Sequence, residues 1–97
     1  MFRVGEHIIL SLWDRKAFEA EVGVPATGGI PPITLAHNVP TREAVDDVLV
    51  SARRAGAVVS AAFERDWGGY SGYFADPDGF RWEIAHNPGE LGKLVLP

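Results

Sequence analysis

Apolar side chains recur at Val45, Val48, Leu49 and Ala52, the three-and-four spacing of one helix face, with Arg42, Asp46 and Asp47 off it. Thr41 stands where a hydroxyl can cap the free N–H groups of a helix start, and Glu43 and Asp46 suit its positive end. Arg53 and Arg54 complement the negative end, and Gly56 supplies a left-handed stop. The pattern predicts a helix over residues 41–55.

Residues 33–39 alternate as a half-buried strand, entered through Gly28-Gly29-Ile30-Pro31-Pro32. Neither proline can donate to a ladder, so both belong outside the strand or at its very start. After the helix, residues 57–63 read as a second strand. A hairpin follows, Tyr70–Ala75 and residues 80–86, joined by Asp76-Pro77-Asp78-Gly79. In that turn Asp can bond the backbone, Pro presets φ, and Gly tolerates the exit conformation. Residues 31–86 thus spell strand–helix–strand–strand–strand. Upstream, residues 2–4, a Gly5-Glu6 turn and residues 7–13 form a hairpin. Residues 14–22 suit one or two helical turns or a loop, and residues 91–97 either add a strand or dock elsewhere.

A chain of 97 residues has room for one domain or a piece of one. Its 46% hydrophobic and 23% charged residues are the balance of a soluble globule. No apolar run approaches the roughly eighteen residues that cross a bilayer, and Met1-Phe2-Arg3-Val4-Gly5-Glu6 lacks a secretory layout. The chain has no cysteine, which excludes disulfides, thiolate catalysis and Cys-based metal sites. A net charge of −4 with scattered Arg and Lys argues against nucleic acid. The expectation is a cytoplasmic protein with no membrane or nucleic-acid partner.

The segment from Trp67-Gly68-Gly69-Tyr70 through Asp76-Pro77-Asp78-Gly79-Phe80-Arg81-Trp82-Glu83-Ile84 closely resembles the closing hairpin of the vicinal oxygen chelate superfamily. That group includes glyoxalase I, bleomycin resistance proteins and extradiol dioxygenases. The resemblance implies an α+β fold with a mixed sheet: one complete βαβββ module over about residues 31–86, preceded by a β-hairpin remnant of a first module. Family members usually carry two modules whose sheets curl around a cup. Here residues 1–29 correspond to a first module that lacks its opening strand and helix, and residues 30–97 to the second.

Ile8, Leu10 and Leu12 share one face, which in a complete module would lie against that helix. Leaving them wet forfeits about 1.5–3 kcal/mol each, or about 5–9 kcal/mol together, against a domain stability of about 5–15 kcal/mol. Another subunit, the 14–22 segment or an exchanged element is therefore expected to cover them. The family's habit of sheet pairing points to a homodimer or domain-swapped oligomer.

In the metal-dependent branches of the family, His/Glu pairs from both modules hold a divalent cation. Position by position, Glu83 matches the acidic ligand of the last strand. Pro32 or a neighbour stands where the ligand histidine would be, and Ile9 where another acid would be. One carboxylate does not hold a catalytic cation, since such sites typically need three protein ligands. Alternation puts Arg81, Glu83 and Ala85 toward the cup, and Phe80, Trp82 and Ile84 toward the helix. His7 and Ser11 share the cup parity of their strand, so His7 with Glu83 makes a partial two-ligand site. His37 and His86 have the opposite parity and read as rim or packed residues. Glu83 has a structural reading as well, as the partner of Arg81 or a neighbouring strand.

Trp67, Tyr70, Tyr73 and Phe74 bracket the hairpin as cup lining or as core. Gly68-Gly69 has no P-loop Lys or Ser/Thr after it, and Ser60 and Ser71 have no nucleophile-elbow setting. The resemblance and the lost ligand positions together imply a metal-free or metal-impaired small-molecule-binding protein, similar to the family's drug-sequestering members. Its ligand would sit between sheets of two chains near Ser11, Trp13, Thr34, Tyr73, Arg81 and Glu83, with no cofactor. The alternatives are a metal-dependent lyase or isomerase resembling glyoxalase I, with Glu83 as ligand or catalytic base, and a non-catalytic truncated module that serves assembly.

Overall fold

The computed structural model describes residues 1–25 and 32–96. Along the chain it contains β1 (Phe2–Arg3), β2 (Ile9–Leu10), α1 (Arg15–Val22), β3 (Thr34–Asn38), α2 (Arg42–Arg54), β4 (Phe63–Glu64), β5 (Tyr70–Ala75), β6 (Arg81–His86) and α3 (Glu90–Leu94). The Gly-Pro entry to β3 at residues 28–31 lies outside the described residues.

Local signals decide where the helices begin. Thr41 Oγ1 accepts the Ala44 N–H at 3.0 Å and starts α2 in the manner of a capping hydroxyl. Asp14 does the same for α1, accepting from Ala17 N at 3.0 Å. Gly23 ends that helix with φ +85°, a left-handed conformation natural to glycine. The 14–22 segment is therefore a real helix of eight residues.

Four strands form a mixed sheet in the order β3-β6-β5-β4, with β3 parallel to β6 and the other pairs antiparallel. This is the βαβββ order that the sequence predicts. The β5–β6 hairpin turns on Asp76, whose Oδ1 accepts from Asp78 N and Phe80 N, both at 3.0 Å. Its Oδ2 accepts from Trp82 Nε1 at 3.0 Å. Three donors on one carboxylate lock the turn and hold the carboxyl below its ordinary pKa, chiefly through Trp82.

α2 packs on one face of this sheet. Val39, Val45, Leu49 and Ile84 are buried together there, with Val48, Tyr70 and Phe74 packed around them. Trp82 stacks on Phe74 with ring centroids 6.2 Å apart. The alternation read for β6 is thus observed: Trp82 and Ile84 on the helix side, Glu83 and Ala85 buried on the other.

One expectation changes and one alternative is decided. Residues 57–63 do not make a continuous strand; Val59 bridges Phe74, and β4 begins only at Phe63. From the Val59–Phe74 pair to the Phe63–Ser71 pair, one strand advances four residues and its partner three. The extra residue is a bulge. Beside it, Tyr73 N donates to Ser60 Oγ at 3.1 Å, so a side chain takes a donor that a regular ladder would give to a carbonyl. The tail forms no strand either, because residues 90–94 close into the short α3.

At the N-terminus, β1 and β2 pair antiparallel as a separate two-stranded ribbon. Ile8, Leu10 and Leu12 are 62%, 51% and 76% exposed. α1 does not cover them; it packs elsewhere. Among the described residues no helix is long and apolar enough to cross a membrane.

Candidate functional site

On the sheet face opposite α2, period-two alternation places Ser71 and Tyr73 of β5 beside Ala85 and Glu83 of β6, each directly across the ladder from its partner. Ser71, Tyr73 and Glu83 are 0%, 2% and 8% exposed. Their cover is α1. Phe18 and Val22, four positions apart on that helix, bury themselves on Tyr73 and form a small cluster separate from the α2 core. Glu21, one residue along, reaches the same phenol.

The Tyr73 hydroxyl is close enough to donate to either Glu21 Oε2 or Glu83 Oε2, the latter at 3.2 Å. A phenol has one hydrogen, so it satisfies only one of the two carboxylates at a time. Burial first, and then the charge of Glu21, push the Glu83 carboxyl up to about 7. The hydroxyls of Tyr73 and Ser71 act in the opposite sense. Burial and the neighbouring Glu83 charge raise the Tyr73 phenol, which stays protonated and serves as a donor.

Arg65 completes the surroundings from the side. Its Nε donates to Ser71 Oγ and its Nη2 to the Ser71 carbonyl, both at 3.0 Å. Its guanidinium lies 5.8 Å from the centre of the Tyr73 ring. Trp67 Nε1 donates to Glu21 Oε1 at 3.4 Å. Beside α1 a cleft of about 270 Å³ opens, lined among others by Val22, Val24, Val58, Ser60, Tyr73 and Arg81.

Of the residues singled out in the sequence, Glu83 and Tyr73 meet, and Arg81 lines the cleft next to them. Thr34 sits on the edge strand and donates through Oγ1 to the Arg81 carbonyl at 2.6 Å. Trp13 packs edge-on against Phe18 at 5.5 Å, and Ser11 lies half-exposed between β2 and α1. His7 is exposed, with Nδ1 donating to the Leu94 carbonyl at 2.9 Å, which ties the ribbon to α3. His86 Nδ1 donates to the Val39 carbonyl at 3.2 Å, and His37 is exposed. Tyr70 and Phe74 belong to the α2 side, so of the two hairpin tyrosines only Tyr73 faces the site.

Sequence reasoning missed Glu21 and Arg65. The signal for Glu21 was present: Asp14 as a cap and Phe18 and Val22 at helical spacing place Glu21 beside the buried stripe. Nothing in the sequence around Arg65 points to Ser71.

A divalent cation is the cofactor the resemblance implies. The oxygen donors gathered on this face are two carboxylates, Glu21 and Glu83, already engaged with Tyr73, while His7 bonds the Leu94 carbonyl through Nδ1 and is exposed on the ribbon. Among the described residues no group of three or more His, Cys, Asp or Glu side chains is placed to hold a metal ion. The donor set of the described residues by itself does not fit a catalytic cation.

Comparison with known proteins follows the same lines. No curated protein matches the chain significantly. Several solved structures are similar to it, three of which follow. A glyoxalase-related enzyme from Fulvimarina pelagi is 38% identical over 78% of this chain and 55% of its own, with a TM-score of 0.58. A glyoxalase/bleomycin resistance protein/dioxygenase family enzyme from Burkholderia phytofirmans PsJN is 32% identical over 60% of this chain and 46% of its own, at 0.55. A glyoxalase/bleomycin resistance protein/dioxygenase from Nocardioides is 26% identical over 89% of this chain and 63% of its own, at 0.53. The chain thus spans about half the length of the first two of these solved relatives. The model of the Glyoxalase/Bleomycin resistance protein/Dioxygenase superfamily matches residues 15–84, from the first residue of α1 to Ile84, and the chain belongs to that superfamily.

Proposed function

We propose that the chain binds a small organic molecule on the sheet face that carries Glu83, as a metal-free or metal-impaired relative of the family's ligand-sequestering members. The observation that carries this reading is a buried carboxyl, Glu83, with a phenol and a hydroxyl beside it on a face opposite the structural core. Burying an acid costs stability unless it is fully paired, and Glu83 faces a second acid rather than a cation. A core built only for packing has no use for that arrangement. The adjoining cleft of about 270 Å³ lies just below the roughly 300 Å³ at which drug-sized sites begin. A second copy, seated through the exposed aliphatics of the ribbon, would enlarge it into a cup between sheets.

Calorimetric titration with two cationic aromatic compounds, bleomycin and berberine, tests the reading. Saturable heat that falls at least tenfold in Glu83→Gln is expected. If neither compound produces heat at any accessible concentration, the reading is dropped.

A second reading rests on the Glu83 carboxyl at about 7, which suits a general base working near neutrality on a proton next to a carbonyl. Wild-type protein that speeds deuterium incorporation into hydroxyacetone, with the effect lost in Glu83→Gln, would place this reading first. A near-stoichiometric divalent ion in protein purified without chelator, lost in Glu83→Ala, would do the same for the metal-dependent version.

A further inference from the structure

The acid site is covered by an element with unusually slight attachments. α1 is eight residues long and is bounded by the Asp14 cap and the left-handed Gly23. A helix of that length has little stability of its own in water and stays helical because it is docked. Among the described residues, no backbone hydrogen bond joins it to the sheet; its backbone bonds outside the helix run from Phe18 N to Asp14 O and from Gly23 N to Glu19 O.

What holds it is a handful of side chains. Phe18 and Val22 rest on Tyr73, with Val24 beside them, in a cluster distinct from the one that joins α2 to the sheet. Glu21 accepts from Tyr73 Oη and Trp67 Nε1, and Trp13 packs on Phe18. Removing these contacts leaves β3, β6, β5 and α2 with every ladder bond and the whole of their own core. Lifting α1 would therefore uncover Tyr73 and Glu83 without loss of the sheet.

We propose that α1 is a displaceable cover over the Glu83–Tyr73 face, and that it leaves as a unit while the α2-backed sheet stays folded. In the covered state Glu21 occupies the place beside Tyr73 and Glu83 that a ligand's polar group takes when α1 departs, so a docked α1 leaves a ligand only the cleft at its edge, and contact with Glu83 requires α1 to leave. The cleft along Val22 and Arg81 is the edge at which displacement begins. This inference rests on the reading of that face as the binding face. The apparent affinity for any ligand is then reduced by the fraction of molecules with α1 docked, and weakening the dock tightens binding.

The test uses no ligand, so its outcome is separate from that of the binding reading. The full chain is treated with a water-soluble carbodiimide and glycinamide, and carboxyl labelling is followed by mass spectrometry while amide hydrogen exchange is followed in α2. The expected result is that Glu83 becomes labelled while the α2 amides remain protected. Phe18→Ala, which loosens α1 alone, should speed Glu83 labelling at least tenfold, with the exposed Glu43 unchanged. Glu83 labelling that appears only in step with exchange of the α2 amides, in wild type or variant, overturns the proposal, since the acid is then uncovered only by global unfolding. The wild-type measurement decides the matter even if Phe18→Ala fails to fold.

Discussion

Glu21 and Glu83, one from a helix and one from the strand beneath it, converge on the single hydroxyl of Tyr73. Two acids and one phenolic hydrogen cannot all be satisfied in their ionised forms, so the cluster retains a proton that an unfolded chain would release. Its consequences are measurable without knowing the ligand.

The first is a pH dependence of stability. The Glu83 carboxyl rises from an ordinary 4.5 to about 7 on folding, chiefly through burial. Between these values the folded chain binds the proton that the unfolded chain has lost. This contribution is fully present below pH 4.5, fades as pH rises, and is gone above 7. Urea unfolding at pH 5 and pH 8 should differ by about 3 kcal/mol in favour of the acid side. Glu83→Gln should flatten that difference, and an unchanged profile in this variant would contradict the assignment.

A second prediction concerns Gly72. A Cβ there would stand 2.6 Å from Leu49 Cδ1 and 3.2 Å from the Ala62 backbone, where α2 meets β5. Gly72→Ala should destabilise by about 1–3 kcal/mol through overpacking. Combined with Leu49→Ala it should cost less than the sum of the two, because the truncated leucine vacates the space. Chemical denaturation of the two single variants and the double variant reads the coupling directly.

The hairpin turn supplies a third. Asp76→Ala strands three donors, Asp78 N, Phe80 N and Trp82 Nε1, and should lower the denaturation midpoint and shift Trp82 emission. Asp76→Asn keeps an acceptor and should recover part of the loss. The carboxylate's contribution is present at neutral pH and vanishes as pH falls below the ordinary Asp value, opposite in sign to that of Glu83.

The fourth concerns association. With Ile8, Leu10 and Leu12 between 51% and 76% exposed, self-association is the expected behaviour at micromolar concentration. Light scattering should report a dimer or larger species, and Leu10→Ser with Leu12→Ser should shift it toward the monomer. A cooperative, strictly monomeric wild-type chain would contradict this.

Periodicity and punctuation alone were enough to read the βαβββ order, the α2 face of Val45 and Leu49, the Asp76-Pro77-Asp78-Gly79 turn and the orientation of Glu83. These features follow from rules that act over a few residues: helical spacing, strand alternation, capping and turn geometry. The bulge between Val59 and Phe63 was not legible, because it depends on which register the partner strand adopts. The helical tail at residues 90–94 was equally hidden, its short apolar run being compatible with either state.

The site divided along the same line. Sequence determined which face of its own strand Glu83 takes, since alternation fixes parity within a strand, and the ladder register then set Tyr73 directly across from it. Tertiary structure decided that Glu21 meets them, that Arg65 holds Ser71, and that His7 turns to Leu94. Those meetings join residues whose separation along the chain carries no periodic signal. They are set by where α1 and the β4–β5 connection come to rest on the sheet, which only the packing of the whole chain fixes.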